Sequence, residues 1–311
     1  MPSEPDDEVA WTGYDVRVTA DGWDGRGLPP VARARLNRAA ASAVRTSLLP
    51  ADGLAGLEAA GFDVVGEVLG TAVLHIGLLD DAGCRYRPLS NPGLPTPTLR
   101  DGYQPYVRAV RHGRGTALDR LLQEAAALGA DGVVGVRFTD EVMEGGKREV
   151  AVGDKREFMA LGTAVRSRGR ERPGRPFTTD LGGQDLAKLL AAGWVPVGLA
   201  YGIGVAINHD TSYIESLAQD TRSQELTDYS HLIARVRAEA RRDFTELAAR
   251  LGGEAALLSG LRSHAWRVTI GSEHYDHVAE CIVTGNAIAR FHTGREATTS
   301  SLTILPLRGI R

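Results

Sequence analysis

The chain has 311 residues, of which 43% are hydrophobic and 24% charged, enough to bury two modest cores. A net charge of -3 gives no overall basic footprint, so nucleic acid is not favoured as a partner, and no run approaches the roughly 18 apolar residues that would span a bilayer. Two cysteines, Cys84 and Cys281, exclude a disulfide framework, and the acidic start MPSEPDDEVA lacks the features of a secretory signal, which places the chain in the cytoplasm.

Residues 1–50 read as an extension: a disordered start, a short strand at Tyr14 to Ala20, and a helix that carries Val31, Leu36, Ala40, Val44 and Leu48 at helical spacing after Pro29-Pro30. Leu54 to Gly77 then reads as a short helix, a glycine stop at Gly61 and a strand. Shifted by 132 residues, it matches Leu186 to Asn208, pairing Gly61 with Gly193, Gly66 with Gly198, Gly70 with Gly202 and Phe62 with Trp194. This is a tandem repeat. A loop from Leu78 to Gln104, broken by Pro88, Pro92, Pro95 and Pro97, changes the offset to 123. The new register holds without a gap from Tyr106, paired with Tyr229, to Val165, paired with Ile288.

Each copy contains one long amphipathic helix. In the second, Leu226, Tyr229, Ile233, Val236, Ala240, Phe244, Leu247 and Leu251 make one apolar stripe. The first carries Tyr103, Val107, Val110, Leu118, Leu121, Ala125 and Leu128, and Gly113 and Gly115 predict a frayed or kinked helix there. Gly129 and Gly252 stop the two helices, and two strands follow each stop. The expected fold is therefore α+β, a tandem repeat of strand, long helix, strand and strand, with the helix packed on an antiparallel sheet. The expected boundaries are 51–166 for the first repeat, 167–180 for an arginine-rich linker, 181–292 for the second repeat and 293–311 for a tail.

Candidate site residues fall into three groups. Tyr106 with Tyr229, Arg114 with Arg237, and Asp131 with Glu254 recur at matching positions and are interface or loop candidates; a carboxylate just past a glycine stop can cap a backbone amide or line a ring interface. Arg166, Arg168, Arg170, Arg172 and Arg175 could grip an anion, although a solvated linker is the reading preferred. Glu273, His274, Asp276, His277, Glu280 and Cys281 combine imidazole, carboxylate and thiol donors that would suit zinc, nickel or copper. In an extended strand those donors point to both faces, which works against a single metal site. There is no P-loop, no GxSxG, no HExxH and no Rossmann fingerprint in a strand-to-helix context.

The run VVGEVLG, then a long helix, then EAAALGADGVVGV and finally ALGTAV, resembles the YbjQ-like family, whose members are labelled heavy-metal-binding domains. The resemblance covers both copies, and the second departs from it where GGEAALLSG replaces GADGVVGV. It implies an α+β subunit similar to the small dodecin-like fold, assembly into rings that are commonly pentamers, and no established catalytic activity. The function expected is that of a non-enzymatic, self-assembling, ring-forming binding or scaffold protein. A homo-oligomer, five-fold if the resemblance extends that far, with no cofactor is expected. Two alternatives stand beside it: a protein binding a divalent heavy metal through residues 273–281, and an enzyme with a pocket built between subunits.

Overall fold

The computed structural model describes residues 22–75, 104–143, 155–169, 175–209, 225–270 and 274–291. The Tyr14 to Ala20 strand, the disordered start and the tail from Thr293 lie outside them. Helices α1 (Pro30–Ala41) and α2 (Ala51–Ala59) precede β1 (Phe62–His75), α3 (Gln104–Ala127), β2 (Gly132–Val142) and β3 (Lys155–Ser167). A short strand β4 (Phe177–Thr178) leads into α4 (Gly183–Ala191), β5 (Trp194–His209), α5 (Thr227–Arg250), β6 (Ala255–Ile270) and β7 (His274–Arg290). None of the described helices is long and apolar enough to cross a membrane.

The repeat is visible in backbone detail. Gly61, Gly129, Gly193 and Gly252 all take φ between 67° and 84°, a left-handed turn that lets each helix stop without Cβ strain. The first sheet has the order β1-β3-β2-β4 and is antiparallel except where β4 runs parallel to β2. The second is antiparallel, in the order β5-β7-β6. The register of β1 on β3 shifts between Val64 and Gly66, and that of β5 on β7 between Pro196 and Gly198, which are the same positions at an offset of 132. Each long helix lies against its sheet at a glycine. A Cβ on Gly70 would stand 1.9 Å from the Ala117 carbonyl oxygen, and one on Gly202 2.0 Å from that of Ala240.

These contacts build a stack of layers. Helix α3 covers one face of the first sheet, burying Val68, Phe158, Ala160, Val110 and Leu121 in one cluster. Ile203 and Ile282, from the second sheet, close the same cluster from the other side. On its opposite face the second sheet buries Ala200, Ala279, Cys281 and Val283 beneath Val236, Ala240 and Phe244 of α5. The remaining face of the first sheet meets α2 and α4 through Leu57, Val134, Val165 and Leu186. The order is thus α2 with α4, first sheet, α3, second sheet, α5.

Two expectations are corrected. Helix α3 runs unbroken through Gly113 and Gly115. Gly113 is there for packing, because the buried ring of Phe158 occupies the place of its side chain, 2.3 Å from where a Cβ would sit. The first helix stops at Ala41 rather than near Leu48; the Ser42 hydroxyl accepts the Val44 amide at 3.1 Å and turns the chain away.

The two glycines of α3 should therefore respond oppositely to alanine. Gly115 has helical geometry and only the Tyr201 hydroxyl, 4.0 Å away, near its missing Cβ. Gly115→Ala is expected to raise unfolding free energy by about 0.5–1 kcal/mol through the loss of backbone entropy in the unfolded chain. Gly113→Ala should lower it by about 1–3 kcal/mol through overpacking against Phe158. Urea denaturation of the two variants checks both signs.

Candidate functional site

The junction of the repeats is held by polar groups that the surrounding core has excluded from water. Tyr106 and Arg114 stand eight residues apart on one face of α3 and are 3% and 4% exposed, so each needs partners inside the protein. The Tyr106 hydroxyl donates to Glu280 Oε2 of β7 at 2.7 Å and accepts from Arg156 Nη1 of β3 at 2.6 Å. Asp140, on β2, gathers three guanidinium groups. Arg114 Nη2 lies 2.7 Å and Arg156 Nη2 3.3 Å from its Oδ2, while Arg262 Nη2 of β6 reaches Oδ1 at 2.6 Å. Arg114 also lies 4.4 Å from the Phe138 ring centroid and 5.7 Å from that of Tyr201, so its flat face is covered by aromatic carbon.

The electrostatics follow from this packing. Burial works against the Asp140 carboxylate, but Arg156 and Arg114 outweigh it and hold the group below its ordinary range. Burial pushes the Tyr106 phenol far up, and the Glu280 charge adds to that, so the hydroxyl stays protonated as a donor. Burial also opposes the Arg156 cation; Tyr106, Asp140 and Glu280 more than compensate, and its guanidinium is held charged. Charge-assisted bonds of this kind fix geometry strongly. Glu280 and Arg262 come from the second copy and the rest from the first, so the cluster acts as a clamp between repeats. Arg111 Nη2, 2.9 Å from Asp243 Oδ1 of α5, adds an outer tie.

The same positions in the second copy are differently furnished. Tyr229 hydrogen-bonds His277 Nδ1 through its hydroxyl, and Arg237 Nε donates to Ser263 Oγ at 3.2 Å, as Arg114 does to Asp140. Where the Tyr106 face of α3 is roofed by the second sheet, the matching face of α5 holds an open hollow of about 460 Å³, lined by Leu226, Tyr229, Ser230, Ile233, Ala234 and Arg237.

Asp131 and Glu254 do the same local work. Asp131 N donates to Val165 O at 2.8 Å and its Oδ2 accepts Ser167 N at 2.8 Å; Glu254 N donates to Ile288 O at 2.9 Å and its Oε1 accepts Arg290 N at 3.2 Å. Each carboxylate caps the end of its central strand.

The described arginines of the linker are engaged with the protein. Arg166 belongs to β3 and donates to the Gly129 and Leu128 carbonyls at 2.8 and 2.7 Å, closing the end of α3. Arg168 pairs with Asp63 at 2.7 Å, and Arg175 approaches Asp119 at 3.6 Å. Arg170 and Arg172 lie outside the described residues. The segment is also not a bare linker, since Phe177 and Thr178 pair with Gly132 and Val133.

The metal window divides across β7. His277 and Cys281 face α5, with His277 bound to Tyr229 and Cys281 packed under the helix, where burial pushes its thiol up. Glu280 faces α3 and is taken by Tyr106. These three side chains do not converge, and among the described residues no group of three His, Cys, Asp or Glu is placed to hold a metal ion. Of His274 and Asp276 only the backbone is described, and Glu273 lies outside the described residues.

Arg156, Asp140 and Arg262 were missed by sequence reasoning because it looked for residues shared by both copies. Their counterparts are Ala279, Ser263 and Thr139. A signal was present: in REFMALG, strand alternation puts Arg156 on the same face as Phe158 and Ala160, an arginine pointing into the core.

The chain is similar in sequence to several known proteins. A family model described as "Putative heavy-metal-binding" matches residues 100–168, which span α3, β2 and β3. The chain is 30% identical over 293 residues to the encapsulin nanocompartment protein Rv1762c of Mycobacterium tuberculosis, covering 90% of this chain and 97% of that protein. It is 42% identical over 64 residues to a UPF0145 protein of Halorubrum lacusprofundi, 20% of this chain and 53% of that one. A UPF0145 protein of Thermotoga maritima is 27% identical over 104 residues, 33% of this chain and 82% of that one. Residues 100–168 are of the YbjQ-like UPF0145 family, and over nearly its whole length the chain belongs to the same family as the encapsulin nanocompartment protein Rv1762c.

Proposed function

We propose that this protein is a self-assembling scaffold of the cytoplasm, with residues 51–166 and 181–292 as its two repeat units, which associates head to tail with further copies and closes into a ring. One observation carries the reading. The second sheet is seated on α3 inside the chain, while among the described residues the matching face of α5 and the part of the first sheet's outer face beyond α2 and α4 stand open. Ile203, Val205 and Ile282 fill the internal junction; their counterparts on the first sheet are Thr71, Val73 and Met159, and Val73 is 52% exposed. A second copy offering Val73 and Met159 to the hollow on α5 would repeat the internal contact, and would bring Glu157, the counterpart of Glu280, toward Tyr229. Contacts of this heterologous kind build rings or filaments.

The name of the near-full-length relative links it to an encapsulin nanocompartment, and we extend to this chain the assembly that such a name implies. The five-fold rings suggested by the family resemblance hold five single repeats, an odd number that whole two-repeat chains cannot supply to one alternating ring, so five chains here would place ten repeats around it. The clamp residues are engaged with one another, which suits holding better than turnover. A divalent metal ion would have to draw donors from Glu273, His274 and Asp276 in addition to those described.

Native mass spectrometry of untagged protein should show a closed multiple of the 33.2 kDa chain. Ala234→Glu, an exposed change on α5 facing the incoming Glu157, should dissociate it with an unchanged far-ultraviolet circular dichroism spectrum. A stoichiometric metal adduct that His277→Ala removes would favour the metal reading instead.

Asp140→Asn should destabilise each chain by about 3–5 kcal/mol, because it leaves Arg114 and Arg156 buried without their anion. The pH response has a defined sign. Asp140 is held below the usual carboxylate pKa of about 3.9, so its contribution is complete above that pH and is lost as pH falls through the lowered value. Urea midpoints at pH 7 and pH 3 should therefore differ less in Asp140→Asn than in the unaltered chain.

A further inference from the structure

Among the described residues the outer edge of β6 is bare, and the same edge in the first copy is not. Among the described residues β6 pairs with β7 alone, with Ala255 and Ala256 exposed, Leu257 38% exposed and Leu258 60% exposed. In the first copy the matching strand β2 is covered by residues 177–181. Phe177 N donates to Asp131 O at 3.1 Å and Thr179 N to Val133 O at 2.9 Å, so that Phe177 lies opposite Gly132 and Thr178 opposite Val133. An exposed apolar edge strand is a template for another strand.

Residues 45–49 are the counterpart of 177–181 at the offset of 132: Arg-Thr-Ser-Leu-Leu against Phe-Thr-Thr-Asp-Leu. They are already held in the same way. Thr179 Oγ1 bonds Asn286 Oδ1 at 2.8 Å, Asp180 N donates to that oxygen at 3.1 Å, and Leu181 N donates back to Thr179 Oγ1 at 3.1 Å. Ser47 Oγ contacts Thr163 Oγ1 at 3.4 Å, Leu48 N donates to Thr163 Oγ1 at 3.1 Å, and Leu49 N donates back to Ser47 Oγ at 3.1 Å. Thr163 and Asn286 are themselves a repeat pair. Both segments therefore lie across the central strand of their own sheet. Segment 177–181 goes on to pair with the preceding repeat, but 45–49 has no preceding repeat within the chain, and Arg45 and Thr46 are exposed.

Resting on the assembly reading above, we infer that residues 45–49 of a second copy add as a parallel strand to the outer edge of β6, with Arg45 opposite Ala255 and Thr46 opposite Ala256. The side chains at the first pair fit this exchange. In the internal pairing the Phe177 ring occupies the space beside Gly132, 2.3 Å from where a Cβ would be. Ala255 fills that space with a methyl group, and the flexible Arg45 chain replaces the ring. Charge agrees as well: the Arg45 amide would donate to the carbonyl of Glu254, which sets a cation beside a carboxylate. The carry-over stops before Leu258, because its counterpart Gly135 has φ 63° and no described non-glycine residue adopts positive φ.

Directly opposed residues on parallel strands lie within disulfide reach, so cysteines at 46 and 256 test the pairing. In a Cys84→Ser background, oxidised Thr46→Cys/Ala256→Cys protein should give a covalent ladder of chains on a non-reducing gel. A mixture of the two single variants should stop at dimers, and each single variant alone should remain monomeric on the gel. A ladder with those controls supports the inference. An oligomer by native mass spectrometry that yields no ladder, as when the chain's own tail fills the edge, a crosslink within one chain, or dimers from a single variant would each overturn this pairing and leave the assembly reading standing. A monomer by native mass spectrometry would overturn both.

Discussion

A helix laid between two sheets must be covered on both sides, and that requirement organises this protein. Helix α3 meets it within the chain: glycine at position 70 lets one sheet approach its backbone, and Ile203 and Ile282 of the other sheet close its far side. Helix α5 has the same relation to its own sheet, with Gly202 in the place of Gly70, and among the described residues the far side of α5 is open. The consequence is directional. Each repeat offers a helix in one direction and the back of a sheet in the other, so two repeats in tandem satisfy one junction and leave, among the described residues, the far side of α5 and the part of the first sheet beyond α2 and α4 uncovered.

The clamp around Asp140 explains why the internal junction has one register. Apolar contact between a sheet and a helix tolerates sliding, since burial is not directional. Three guanidinium groups on one carboxylate, together with the Tyr106 to Glu280 bond, tolerate very little of it. Removal of one member leaves a buried charge unpaired, which costs far more than the loss of a methyl group. In the second copy Ala279 and Ser263 replace Arg156 and Asp140, so a junction between chains would be less charged than the one within them. A covalently tethered junction and an associating one would thus rest on different chemistry at equivalent places.

Much of this architecture could be read from sequence because a repeat offset is independent of any single residue's propensity. The offsets of 132 and 123 locate the glycine stops, the long helices and the α+β unit of strand, helix and two strands. They also align Asp131 with Glu254, whose identical capping bonds the structure displays. The polar clamp was hidden for the same reason, since Arg156, Asp140 and Arg262 belong to one copy each. Gly113 misled because helix propensity counts its missing side chain as a cost, whereas Phe158 needs the space. Strand β4 was masked by five nearby arginines, which drew attention from Phe177 and Thr178. Its role follows from a neighbouring strand edge, a long-range feature that local pattern does not carry.

Amide hydrogen exchange at β6, followed by mass spectrometry as the protein is diluted, tests the central claim most directly, because within one chain the outward edge of that strand has no described partner. The account predicts that the amide of Ala256 is protected at concentrations where chains are associated and loses that protection as they separate, while the amides that pair β6 with β7 stay protected throughout. Rapid exchange at Ala256 in the intact oligomer would contradict it.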